Sequence, residues 1–175
     1  MAWPCRSYSS DWYMRLEPSA GYSFIQTNLD SNSLLHGPTL SAEINIERGG
    51  LFSSFGARGS YLFGTNLFLL CSGTVAAGGN LTNAPLRIWI GTDFFKTTLG
   101  YDTTSRSLDP SASIKLGLSF FTNTATPFNA EFSYFSFNRN STQSGTKEYP
   151  AISFAVSMSF PIMVNEPSKD VELFN

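Results

Sequence analysis

The sequence predicts an all-β fold, an eight-stranded antiparallel up-and-down transmembrane β-barrel, on three observations. Apolar and polar residues alternate one for one through eight segments, the segments are long, and the charges inside them keep to one face. Successive side chains of a strand point to opposite sides of the sheet, so each segment has one oily and one wet face. Charged residues are 14 % of the 175-residue chain, against roughly 25 % in an ordinary soluble domain. Aromatics are 15 %, with 16 Phe. That leaves little charge for a water-facing exterior.

The segments follow in order. In residues 13–24, Met14, Leu16, Ala20, Tyr22 and Phe24 oppose Arg15, Glu17, Ser19 and Ser23. In 39–47, Leu40, Ala42, Ile44 and Ile46 oppose Ser41, Glu43, Asn45 and Glu47. In 53–63, Phe55, Tyr61 and Phe63 oppose Ser54, Arg58 and Ser60. Residues 66–78 are the least clear, because Leu67, Leu69 and Cys71 oppose Phe68, Leu70 and Ser72. In 85–95, Ile88, Ile90 and Phe94 oppose Arg87, Trp89 and Asp93. In 111–121, Ile114, Leu116 and Leu118 oppose Ser113, Lys115 and Ser119. Phe128, Phe132 and Tyr134 then oppose Asn129, Glu131 and Ser133, and Ile152, Phe154 and Met158 oppose Ser153, Ala155 and Ser157. A tilted membrane-spanning strand needs about 9–11 residues, whereas globular strands average nearer 5–6.

The connections alternate in length. Long polar stretches at 27–38, 97–110 and 138–148 predict exposed loops, and short Gly- and Asn-rich links near Arg48-Gly49-Gly50 and at 78–85 predict tight turns. The link around Gly64-Thr65-Asn66 is short where this order asks for a long one. Residues 1–11 are set apart as an N-terminal segment, 12–161 as the barrel and 162–175 as a C-terminal tail. The start lacks a basic and an apolar region, so it is read as a mature chain with an added Met rather than a signal peptide.

Nine charges mark the expected interior: Arg15, Glu17, Glu43, Glu47, Arg58, Arg87, Asp93, Lys115 and Glu131. All lie on the polar parity, four basic and five acidic, diluted by Ser, Gly and Ala. Small residues among nearly balanced charges suit a narrow lumen where ions must pair. Arg48 and Lys96 break parity and are expected to snorkel from strand ends. A Lys or Arg on the oily face would cost about 2–4 kcal/mol at the bilayer midplane. Trp12, Tyr22, Phe24, Phe63, Phe94, Phe120, Tyr149 and Phe160 are candidates for the interfacial aromatic girdles. The contrasting reading turns the oily faces inward, as in a soluble lipocalin-like ligand-binding barrel.

On these segments, the loop order and the closing strand Ile-Ser-Phe-Ala-Val-Ser-Met-Ser-Phe at 152–160, the chain resembles the small eight-stranded outer-membrane barrels of Gram-negative bacteria, of the OmpA and OmpX type. The resemblance covers roughly residues 12–161 and implies residence in the bacterial outer membrane. The family often ends at the closing aromatic; here Pro161 and the tail follow Phe160.

The leading function is envelope structure or surface interaction through the long loops, with a lumen filled by side chains. Outer-membrane lipid is the expected partner, with a surface ligand or host factor at the loops. A net charge of -2 gives no case for nucleic acid. The chain is expected to be a monomer without cofactor or metal. A narrow porin-like channel is the second reading. A lipid A-modifying enzyme is the third, with His36 in the first loop beside Asp30 and Ser31 or Ser33. No spacing of residues is diagnostic of catalysis. Cys5 and Cys71 are not expected to pair, and the Asn80-Leu81-Thr82 and Asn140-Ser141-Thr142 glycosylation patterns are read as chance.

Overall fold

The computed structural model describes residues 12–29, 33–64, 67–81, 84–99, 108–122, 124–141 and 145–165. Ten strands follow one another: β1 (Tyr13–Thr27), β2 (Ser33–Arg48), β3 (Leu51–Leu62), β4 (Phe68–Asn80), β5 (Leu86–Leu99), β6 (Leu108–Pro110), β7 (Ser113–Phe120), β8 (Phe128–Ser141), β9 (Gly145–Ser159) and β10 (Ile162–Asn165). Every pairing is antiparallel, and β9 closes the sheet by pairing with both β8 and β1. The two shortest strands complete longer ones. β6 and β7 both pair with β8 and form one wall strand, broken at Ser111–Ala112. Likewise β9 and β10 both pair with β1, broken at Phe160–Pro161. The result is an eight-stranded closed barrel without a free sheet edge around its middle.

The link between β2 and β3 is a two-residue turn, and Gly49 and Gly50 carry φ of 56° and 83°. Positive φ at both central positions matches the twist of the flanking strands, which is why two glycines stand there. This defines a turn end; the opposite, loop end carries the β1–β2, β5–β6 and β8–β9 connections.

The strands run further into that loop end than the sequence predicts. β1 continues to Thr27 and β2 resumes at Ser33, so most of the expected loop 27–38 is wall. The expected loop 97–110 keeps only residues 100–107 between strands, outside the described set, and 138–148 is mostly β8 and β9. Pro38, which read as part of a loop, and Pro18, within the first strand, both stand at breaks in the ladders. Pro38 lies where β2 and β3 are joined only by an isolated bridge between His36 and Phe63 before regular pairing resumes at Thr39. Pro18 faces the break between β9 and β10, where its carbonyl accepts the Phe160 N–H at 2.8 Å. A residue without an N–H is tolerated where no ladder bond is due. At the other terminus, pairing passes residue 161: β10 brings Ile162–Asn165, set apart as tail, against Met14–Leu16.

Candidate functional site

The candidate site is the lumen, where the inward charged side chains take one another as their main polar partners. Near the turn end, Glu47 is 1 % exposed and binds three partners. Arg15 Nη2 lies 2.6 Å from Glu47 Oε1, and Arg87 and the Tyr13 hydroxyl also donate to its carboxylate. Arg15 Nε is 3.3 Å from Glu17 Oε2, and Asn45 donates to Glu17. Arg87 Nε donates to Asn80 Oδ1 at 3.0 Å, while its guanidinium sits 4.1 Å from the Phe52 ring centre. Asn80 is thus engaged inside the barrel.

A second cluster fills the middle. Arg58 grips Glu131 with both terminal nitrogens, at 2.5 and 2.8 Å, and stands 4.0 Å from Glu43. Lys115 is 1 % exposed, with its Nζ 2.9 Å from Asp93, 3.3 Å from Glu131 and 3.0 Å from Thr74 Oγ1. The Trp89 indole fills the space beside it by lying across Gly117, where an added Cβ would come within 2.0 Å of the ring. Charges taken out of water must be paired and hydrogen-bonded, and the bidentate Arg–carboxylate geometry is the strongest form of that pairing.

All nine charges singled out in the sequence lie in these two clusters. The residue that pattern reading missed is Lys96. Its side chain is 2 % exposed, 3.8 Å from Asp93 Oδ2. It does not snorkel; a bulge turns it inward. Between Gly73 and Cys71 of β4 the β5 partners advance from Phe94 to Thr97, one residue too many. Phe95 absorbs the extra residue at φ 47°, leaving Phe94 and Phe95 both outside and sending Lys96 into the lumen. The left-handed conformation costs a non-glycine residue roughly 1–2 kcal/mol. The return is electrostatic. With Lys96 the clusters hold, among the described residues, five cations (Arg15, Arg58, Arg87, Lys96, Lys115) against five carboxylates (Glu17, Glu43, Glu47, Asp93, Glu131).

Among the described residues, two small cavities lie in the lumen. One of about 50 Å³ lies between the clusters and is lined by Glu17, Glu43, Asn45, Arg87, Trp89 and Lys115 among others. One of about 20 Å³ lies further toward the loop end, beside Ser60, Ser72, Asp93 and Lys96. Arg58 and Glu131 line both, so their ion pair stands between the two. A single water needs about 10–15 Å³, so these spaces hold a few waters and no more. Along their walls a hydroxyl relay joins Ser23, Thr39 and Ser60 at 2.6 and 2.9 Å.

The loop end is closed by an apolar core. Ile25, Leu29, Leu35, Leu62, Phe68, Leu70, Leu108, Phe135, Phe137 and Ala151 are buried against one another inside the barrel. Leu62 and Phe137 are fully buried, and the rings of Phe68 and Phe137 meet edge to face across the lumen at 6.3 Å. Lys96 Nζ lies 3.4 Å from the Phe135 ring centre, at the seam between charge and oil. Tyr149, expected in an outer girdle, packs inward on this core.

The wall's outside is apolar over the charged middle. Phe55, Ile90, Ile114, Leu116, Phe132, Tyr134 and Phe154 are each 47–69 % exposed. Trp12, Phe24, Phe63, Phe94 and Phe160 of the expected girdles also face out. At the turn end Arg48 points outward and lies 5.2 Å from the Trp12 ring centre. His36 is in β2, on the outward parity with Leu34 and Leu40, rather than in a loop. Its Nδ1 shares a 2.7 Å hydrogen bond with the Tyr22 hydroxyl. Ser33, three residues away, falls on the opposite, inward parity, and Asp30 and Ser31 lie outside the described residues. Cys71 is a free, half-buried thiol; Cys5 is outside the described residues.

No family model and no curated protein matches this chain. Among solved structures, the crystal structure of Neisserial surface protein A superposes with a TM-score of 0.51 at 12 % identity, covering 89 % of this chain and 99 % of that one. The outer membrane protein OprG from Pseudomonas aeruginosa aligns at 0.44 and 11 % identity, over 87 % and 96 %. With its closed eight-stranded antiparallel wall, the chain has the fold of the small outer-membrane β-barrels, as Neisserial surface protein A does.

Proposed function

We propose that this chain is an integral barrel of the Gram-negative outer membrane whose lumen is closed, and that it serves the envelope through its wall and its outward rim rather than by conduction. One observation carries the reading: polarity is inverted about the wall. Paired charges face inward and large apolar side chains face outward over the same strands. In water that exterior would be a contiguous apolar patch far beyond the few hundred Å² a soluble monomer tolerates. In a bilayer it is the ordinary exterior of a barrel.

Two seals in series support closure, the Arg58–Glu131 pair between the small cavities and the apolar core at the loop end. Hydrated ions cross neither without rearrangement. The rim beyond the core, where β8 and β9 run on to Ser141 and from Gly145, is the surface offered to a ligand or host factor. The catalytic reading has less support, since His36 is hydrogen-bonded to Tyr22 and Ser33 faces the other way.

The test is single-channel recording of the refolded full chain in planar bilayers. Silence at moderate voltage is expected. A steady, reproducible current from the unaltered chain would overturn closure and favour the narrow channel.

A further inference from the structure

The outer boundary of the apolar exterior is not level around the barrel. Phe68 of β4 and Phe137 of β8 touch across the lumen, so they mark one height on opposite walls. Side chains alternate, and a residue rises about 3.3 Å. The outward neighbours at that height are therefore Leu67 and Leu69 on one side, and Ser136 and Asn138 on the other. On β8 the oily exterior stops at Tyr134, which is 53 % exposed. On the neighbouring β9 it stops at Ile152, and the next outward residues are Pro150 and Glu148. On β6, Asp109 is exposed beside buried Leu108. On that flank the outward residues turn polar where the apolar core begins.

The flank made by β2, β3 and β4 does not. Leu34, Tyr61, Phe63 and Leu67 remain 41–51 % exposed beside buried Leu35, Leu62 and Phe68. From Leu34 down to Ile46, β2 shows no charged residue of either sign outward, only Leu34, His36, Pro38, Leu40, Ala42, Ile44 and Ile46. Tyr61 and Phe63 meet edge to face at 5.4 Å, and Phe24, Tyr22 and His36 adjoin one another on the same side.

The geometry points to outer-leaflet lipid as the cover of this flank: the bilayer climbs the β2–β4 wall past the apolar core while the β6–β8–β9 wall stands in water at the same height. Two observations select lipid over a protein. The strip is continuous with the apolar band below it, with no polar border at which a separate interface would start. Its Tyr22 and Tyr61 are of the amphipathic aromatic type that collects between acyl chains and headgroups. A barrel so seated is tilted toward β2–β4. This inference rests on the bilayer reading of the wall.

The test places a nitroxide on single cysteines in the full chain carrying Cys5→Ser and Cys71→Ser, refolded into phosphatidylcholine–phosphatidylglycerol vesicles. Leu67→Cys and Asn138→Cys sample the two flanks, and Ile90→Cys is the mid-wall control. Collision with oxygen, concentrated in lipid, is compared with collision with a nickel chelate, confined to water. The expected result is an oxygen-to-nickel ratio several-fold higher at Leu67 and Ile90 than at Asn138. If Leu67 matches Asn138 while Ile90 stays in lipid, the tilt is wrong and the membrane assignment stands. If Ile90 meets the nickel reagent freely, the lipid reading of the whole wall falls. A Leu67 label shielded from both reagents, with dipolar broadening between labels, would put a second copy of the chain there instead of lipid.

Discussion

The middle and the loop end of this barrel share the same eight walls and solve opposite problems. In the middle the exterior is Ile, Leu and Phe and the interior is Arg, Lys, Glu and Asp. At the loop end the interior is Leu, Ile and Phe, and on β6, β8 and β9 the exterior is Asp109, Ser136, Asn138 and Glu148. Backbone geometry is continuous across the change. β8 runs unbroken from Phe128 to Ser141 while its inward residues pass from Asn129, Glu131 and Ser133 to Phe135 and Phe137. On the proposed bilayer reading, what changes is the solvent outside. A strand in lipid puts its polar parity inward, and a strand in water puts its apolar parity inward.

Substitutions can break each half of that contrast separately. The largest loss is expected in the charged middle. Glu131→Ala leaves Arg58 with Glu43 at 4.0 Å and strips Lys115 of one of its two carboxylates. Breaking a buried ion pair by removing one partner costs about 3–5 kcal/mol. A urea midpoint in detergent micelles should fall accordingly, and an unchanged midpoint would mean the cluster is wetter than its burial says. Next comes the apolar core. Leu62→Ala should cost about 2–5 kcal/mol, as a fully buried leucine in a packed core does. It also thins one of the two seals, so intermittent current should appear in bilayers only when it is combined with loss of the Arg58–Glu131 pair.

The exterior offers a third comparison. Leu116→Arg, on the outward apolar side of β7, should cost about 2–4 kcal/mol in micelles or vesicles if that side meets lipid. The same change on the outside of a soluble barrel would be nearly free, so a neutral result would speak against lipid. The smallest effect is expected at the seam. Lys96→Met keeps the side chain's bulk over Phe135 and leaves Asp93 its 2.9 Å contact with Lys115. Replacing a buried ion by an apolar residue of similar volume is often close to neutral, so the midpoint should shift far less than for Glu131→Ala. A comparable loss would show that charge balance in the lumen governs stability more than individual contacts.

The mid-barrel was legible because period-2 alternation carries both faces at once. Arg15 and Glu17 are an even number of residues apart, as are Arg87 and Asp93, so each pair shares a side. Lys96 was not legible, since a bulge adds one residue and reverses parity without any glycine at Phe95 to announce it. The apolar core was hidden for another reason. Phe135 and Phe137 continue the inward parity of Glu131 and Ser133, so the pattern's period holds while its chemistry flips. Phe68 and Leu70 against Leu67 and Leu69 gave a trace of this, as apolar residues on both parities. The loops were overdrawn because Pro38 and Pro110 read as loop signals, though each stands in a strand where the ladder is interrupted.

The most direct measurement of the central claim is gel mobility of the full chain in SDS, boiled against unboiled, after refolding into detergent micelles, with circular dichroism alongside. A wall that faces lipid outside and pairs its charges inside should give a β-rich spectrum and a heat-dependent shift, and should aggregate without detergent. A chain that instead folds as a soluble monomer in plain buffer, with no shift on boiling, would contradict the assignment of its oily faces to lipid.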